Sequence, residues 1–181
     1  MKVDAPHQAL ELWCQDEARL GLKPIVRNVW ALRGQRPIAP NHTRYAWLYV
    51  YGCVRPATGQ TYWLILPMVN TAAMNLALAE FARDVGAGPT KQVVLVVDNA
   101  GWHTSKHLVI PPGIELVSLP AATPELQPAE RLWPLVREAV ANRTFPSLDS
   151  LQDRLVERCL QLRAQPQALQ RATNYHWLPT I

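Results

Sequence analysis

Three carboxylates and one histidine are the residues of this 181-residue chain best placed to do chemistry: Asp16, Asp98 and Glu130, with His103 following Asp98 in the block VVDNAGWH. Each acid belongs to a different stretch. Asp16 lies near the end of an apolar segment, Asp98 closes the aliphatic run VVLVV, and Glu130 follows Pro128 at the opening of a helical pattern. Acids brought together repel, and taking their charges out of water costs roughly several kcal/mol unless cations compensate. Hard divalent cations would compensate, Mg²⁺ first and Mn²⁺ as its substitute, because Mg²⁺ takes one or two carboxylates together with substrate phosphate oxygens. Two such ions, about 3.5 to 4 Å apart, would activate a water or a 3′-hydroxyl and stabilise the leaving oxygen of a phosphodiester. The implied chemistry is phosphoryl transfer on nucleic acid.

Each residue also has a plainer reading. Asp98 and Asn99 with the following Ala and Gly are good turn chemistry, and strands commonly end that way. Glu130 occupies N3 of a helix that begins at Pro128, where a carboxylate favours the helix dipole and caps backbone amides. Glu125 is a competing third acid that lies outside that helix. Glu17 points away from Asp16 on a strand and reads as a partner for Arg19, while His103 reads equally as a packed or solvent-facing histidine.

The elements that must position the acids follow from periodicity. ELWCQDEARL, residues 11 to 20, reads as a strand with Leu12, Cys14 and Asp16 on one face. TRYAWLYVYGCV and TYWLILPMV read as two more strands joined by the turn RPATGQ, with Gly59 relaxing the backbone. Residues 71 to 88 carry apolar residues at helical spacing and stop at Gly86 and Gly88. VVLVV is a fourth strand and GIELVSLP a fifth. A helix beginning near Pro128 runs through LWPLVREAV, with Pro134 distorting its first turns. A last helix from about Leu148 to Ala164 carries Leu148, Leu151, Leu155, Cys159 and Leu162 as a stripe for core packing, or else a dimer seam. The expected order is β-β-β-α-β-α-β-α, an α/β fold with a mixed five-stranded sheet, three antiparallel strands and then two parallel, flanked by helices. If the first and fourth strands are parallel neighbours, Asp16 and Asp98 converge at one edge of the sheet, and Glu130 closes the site.

Composition permits one domain, with 49% hydrophobic and 18% charged residues and a net charge of +4. That charge allows an anionic partner without being a polybasic tail. Cys14, Cys53 and Cys159 lack any metal or disulfide spacing and read as buried thiols. No apolar run approaches the roughly 20 residues of a membrane span, and MKVDAPHQAL has no signal-peptide core, so no membrane association and a cytoplasmic location are expected.

WCQDEARLGLKP, VVLVVDNAGWHTS and LVSLPAATPELQPAERLW, with the hairpin YVYGCVRPATGQTYW, resemble the DDE transposases. The resemblance is to the bacterial insertion-sequence branch related to mariner elements, the insertion sequence six-thirty group. It covers nearly the whole chain. It implies a ribonuclease H-like fold and two-metal cleavage of transposon ends, followed by attack of the freed 3′-hydroxyls on target DNA. It carries the catalytic and metal-ligand roles onto Asp16, Asp98 and Glu130, and supporting roles onto Asn99, His103 and Trp133. Asn99 would hold the strand-end turn, His103 would orient an acid or a phosphate, and Trp133 would pack the catalytic helix. A homodimer is implied as well. The group usually shows Asn where this chain has Gln127, and Asn is the better N-cap, so a less firmly held turn is expected at Glu130. The interval from Asp98 to Glu130 is slightly shorter than the group's pattern.

Full members carry an N-terminal helix-turn-helix region that recognises transposon ends, whereas the first strand here starts about ten residues into the chain. The expectation is a catalytic domain over 1–145 and a helical extension over 146–181 packed on it, with end recognition supplied by a fused or separate region. Lys23, Arg27, Arg33, Arg36 and Arg44, with Trp30 among them, form an arm that reads either as a phosphate-tracking segment or as a solvated loop. Lys106 and Arg131 lie near the acids and are expected as further DNA contacts. Two other functions compete: a decayed or domesticated remnant that binds DNA or partners without cutting, and a nuclease of the same fold acting on RNA–DNA hybrids.

Overall fold

The computed structural model describes residues 9–35, 38, 44–121 and 123–179. The first strand, β1 (Ala9–Gly21), pairs antiparallel with β2 (Trp47–Arg55), which forms a hairpin with β3 (Gln60–Leu66). Helix α1 (Thr71–Val85) returns the chain to β4 (Lys91–Val97), which runs parallel to β1, and β5 (Ile114–Ser118) runs parallel to β4. The strand order is β3-β2-β1-β4-β5. Two 3₁₀ turns, Pro124–Leu126 and Pro128–Arg131, lead into α2 (Leu132–Glu138), α3 (Leu148–Arg163) and α4 (Pro166–Thr173). This is the mixed, helix-flanked sheet of a ribonuclease H-like fold, with three antiparallel and then two parallel strands.

Alternation along the strands divides the core into two layers. Trp13, Tyr51, Val93, Leu95 and Val97 face α1, where Phe81 meets Trp13 edge-on at 5.2 Å. Cys14, Ala18, Val50, Val54 and Val96 face α2 and α3. Strand β4 is thus covered on both sides, the reason its sequence is almost continuously aliphatic. Asn70 caps α1 by accepting from the Ala73 amide at 2.8 Å, and Gly86 ends it at φ 70°. Ser147 and Ser150 form a capping box on α3. Leu151, Leu155, Cys159 and Leu162 of that helix are buried in the same layer as Trp133, so the stripe is core packing.

Three expectations are corrected. No helix lies between β4 and β5: residues 98–113 form a turn-rich connection that bends back at once to build the site. The helix expected from Pro128 is split, and Glu130 sits in a 3₁₀ turn before α2. Pro134 lacks the amide that a continuous α-helix would pair with the Glu130 carbonyl, and the Leu132 amide takes up the carbonyls of Ala129 and Glu130 instead. Within the expected helical extension, α4 is a second helix beyond the one that periodicity predicts. It packs against the β2–β3 turn, where Gln170 donates to the Ala57 carbonyl at 2.6 Å. Gly59 is required there, because at φ 75° a Cβ would lie 1.8 Å from the Pro166 carbonyl oxygen.

The three cysteines are free and buried. Among the described residues no helix is long and apolar enough to cross a membrane.

Candidate active site

The parallel register of β1 and β4 pairs Cys14 with Val96. Carried two positions further, it sets Asp16 across from Asp98, and the pleat turns both acids to the α2 side of the sheet. Asp98 stands just past the carboxyl end of β4, where open α/β sheets place their ligands. Asp16, Asp98 and Glu130 line one cleft of about 250 Å³, together with Asn99, Thr123 and Gln127. Glu125 is exposed and does not line it.

Each acid is held by a different partner. The Trp133 indole Nε1 donates to Oδ2 of Asp16 at 2.6 Å, and the Glu17 backbone amide is a second hydrogen-bond partner of that carboxylate. Trp133 is buried to 1% exposure and finds room because residue 52, opposite Asp16 on β2, is glycine. A Cβ there would stand 3.0 Å from the rings of both Trp133 and Trp63. Burial pushes the Asp16 carboxyl up to about 7, with the negative charges of Glu130 and Glu17 adding to the effect and the Trp133 hydrogen bond opposing it. A glycine in the middle of the otherwise bulky strand YVYGCV is the signal that could have marked Gly52 in the sequence.

Asp98 makes its contacts through Oδ1, which accepts from the Ala100 amide at 3.0 Å and lies 2.7 Å from Nδ1 of His103. Both of these contacts fall on the same carboxylate oxygen. Asn99 ties the turn to the end of β5, donating to the Leu119 carbonyl at 2.6 Å. The turn chemistry expected of this block is therefore present, with Asp98 and Asn99 both hydrogen-bonded to the backbone. His103 is neither simply packed nor solvent-facing: its buried ring bridges Asp98 and, at 3.3 Å from Nε2, the Oε1 of Glu17. Burial works against a charge on that ring, but the hydrogen bond and charge of Glu17 and the charge of Asp98 outweigh it and raise its pKa. The reading of Glu17 as a partner for Arg19 is corrected. Arg19 stacks over Trp47 at 4.9 Å, while Glu17 also accepts from the Trp102 indole at 3.2 Å.

Gln127 overturns the expected loose turn at Glu130. Its carboxamide oxygen caps the Ala129 amide, and Nε2 reaches the Gln15 carbonyl at 3.0 Å, so the longer side chain both caps the turn and pins it beside Asp16.

The charged side chains lining the cleft, Asp16, Asp98 and Glu130, offer carboxylate oxygens, a donor type that suits a hard divalent cation. Among the described residues, however, no three acid, histidine or cysteine side chains stand close enough to ligate one ion together.

The remaining basic residues are more scattered than the acids. Lys23, Arg27 and Arg33 are exposed on the segment between β1 and β2, and Arg36 lies outside the described residues. Asn142, at φ 55°, pins that segment by accepting from the Arg27 amide and donating to its carbonyl. Arg44 donates to the Pro146 carbonyl at 3.1 Å. Lys106 is exposed on the β4–β5 connection, and Arg131 donates to the Tyr175 hydroxyl at 2.9 Å.

Residues 11–152 match the model of the DDE superfamily endonucleases, and the chain belongs to that family. It is 40% identical over 106 residues to the uncharacterized protein y4pE/y4sA of Sinorhizobium fredii (strain NBRC 101917 / NGR234), covering 58% of this chain and 77% of the relative. Its fold is similar to that of the Mos1 mariner paired end complex with Mn, at a TM-score of 0.61 and 16% identity over 93% of this chain and 57% of the other. The Mos1 strand transfer complex gives 0.57 and 18% over 90% and 53%. The chain thus spans a little over half the length of the Mos1 chains.

Proposed function

We propose that the chain is the catalytic domain of a transposase, of the insertion sequence six-thirty group, which cleaves DNA at transposon ends and transfers the freed 3′-hydroxyls to target DNA. The observation that carries this reading is the β1–β4 register, which faces Asp16 toward Asp98 at the carboxyl end of the sheet in a cleft shared with Glu130. Membership of the DDE superfamily and likeness of fold to Mos1 complexes, one of them a strand transfer complex, support it. Residues 1–145 would form the catalytic unit and 146–181 an extension packed on it. Transposon ends would be recognised by a helix-turn-helix region, fused or separate, and two copies of the chain would act as a dimer.

Asp16, Asp98 and Glu130 would hold Mg²⁺, or Mn²⁺ in its place, as two ions. Bound there, the ions would polarise the scissile phosphate and lower the pKa of the attacking hydroxyl or water. The chain's own residues do the positioning. Trp133 and His103 orient the two aspartates, and Gln127 holds the turn that carries Glu130. Lys23, Arg27, Arg33, Arg36, Arg44, Lys106 and Arg131 would neutralise phosphates along the bound DNA.

The test is nicking of supercoiled plasmid in Mg²⁺ or Mn²⁺, comparing the chain with Asp98→Asn. Nicking by the wild type alone is the expected result. Equal nicking by both removes Asp98 from the reaction, and nicking by neither favours a remnant that binds DNA without cutting.

A further inference from the structure

We propose that Glu17 is a positioning residue for this site, anchoring the His103 ring that holds the Asp98 carboxylate. The inference rests on the reading of Asp16, Asp98 and Glu130 as the cation-holding set.

Strand β1 runs on to Gly21, whereas β4 stops at Val97, so the last residues of β1 have no β4 neighbour. The chain following Asp98 folds into that space. Strand alternation puts Glu17 on the face opposite Asp16, yet there it meets Trp102 and His103 rather than solvent, and its side chain is only 6% exposed. Oε1 of Glu17 receives the Trp102 indole at 3.2 Å and lies 3.3 Å from Nε2 of His103. On the other side of the ring, Nδ1 lies 2.7 Å from Oδ1 of Asp98 and 3.1 Å from its carbonyl oxygen. Trp102 packs edge-on to the imidazole at 5.9 Å. The ring is therefore held at both nitrogens and along one side.

Asp98 needs this support because its own side chain is 51% exposed and stands at the first residue past a strand. Without the ring, the orientation of the carboxylate would rest on the Ala100 amide, which donates to Oδ1 at 3.0 Å. With the ring, Oδ1 is held by two partners. Consecutive residues of β1 thus serve one site from opposite faces, Asp16 directly and Glu17 through His103.

The experiment measures Mn²⁺ affinity of the full chain from the spin-resonance signal of free Mn²⁺, alongside plasmid nicking, for the wild type, E17A, E17Q, H103A, the E17A/H103A double variant and D98N. Removing an outer partner of a metal ligand typically weakens metal binding by about 10–100-fold, and E17A is expected to fall in that range. Glu17→Gln keeps an oxygen acceptor for the imidazole and the indole and should recover most of the loss, and E17A should add little to H103A. Nitrogen-15 spectra of the metal-free chain give a second readout: the ring N–H signals of His103 persist in the wild type and E17Q and are lost in E17A. Unchanged Mn²⁺ affinity in E17A, or a loss that adds in full to that of H103A, overturns the proposal. If D98N binds Mn²⁺ and nicks as the wild type does, the cation reading itself fails and takes the proposal with it. A failure of Glu17 alone looks different, because D98N then loses Mn²⁺ and E17A keeps it.

Discussion

Trp133 and Asp16, 117 positions apart in the chain, are joined by an indole-to-carboxylate hydrogen bond of 2.6 Å inside the protein core. One side chain of α2 therefore closes the hydrophobic layer and orients an acid of the cleft at the same time. Trp133→Phe keeps most of the packing and deletes the donor. It should cost about 1–3 kcal/mol in chemical unfolding, since a buried acceptor loses its partner. Nicking should fall more steeply than stability, and Asp16 should titrate higher still.

Gly52 makes that hydrogen bond possible. Gly52→Ala places a methyl 3.0 Å from two tryptophan rings and 3.3 Å from Leu132, all packed in one layer. Overpacking of this kind costs about 1–3 kcal/mol. Urea unfolding should show the destabilisation, and a shifted Trp133 should reduce nicking even where the fold survives.

The Asp16 carboxyl, pushed up to about 7 by burial, sets a direction for pH dependence. Its folded pKa lies above its unfolded value, so the protonated form favours the fold. That contribution is full below about pH 4 and is lost as pH rises through about 7. In chelator, melting temperature should fall across this window more in the wild type than in Asp16→Asn. Divalent binding must displace the same proton, so Mn²⁺ affinity should rise over the same window in the wild type only.

The length of Gln127 also has a consequence. Gln127→Asn retains the capping group but falls short of the Gln15 carbonyl, whereas Gln127→Ala removes both hydrogen bonds. Nicking should decline in the order Gln, Asn, Ala. The alanine variant should be less stable by about 1–3 kcal/mol in thermal or chemical unfolding.

If the arm between β1 and β2 tracks phosphates, joint replacement of Lys23, Arg27 and Arg33 by alanine should weaken DNA binding irrespective of sequence. The slope of log affinity against log salt should flatten by about 0.9 for each phosphate that is no longer neutralised. An unchanged slope in a filter-binding titration would assign the arm to solvent.

The three acids and the place of Asp98 just past a strand are legible in the sequence, because strand alternation and an aliphatic run ending on aspartate depend on neighbouring residues alone, whereas Asp16 stands within a strand that runs on to Gly21 rather than near its end. The hairpin, the caps of α1 and the buried stripe of α3 are local in the same sense. The 3₁₀ turn at Glu130 is half legible: Pro134 marks a disturbance, but not that the helix begins only after the acid.

What holds the acids is decided by tertiary structure. Gly52 faces Asp16 only through the β1–β2 register, Trp133 reaches it only because α2 lies across that face, and Gln127 reaches Gln15 only once the turn docks on β1. Glu17 is misleading in the sequence for the same reason. Alternation alone turns it away from the site, and only the early end of β4 lets His103 fold in beside it. The chemistry of the acids is written in residue types at local spacing, whereas their orientation depends on partners brought together by the sheet.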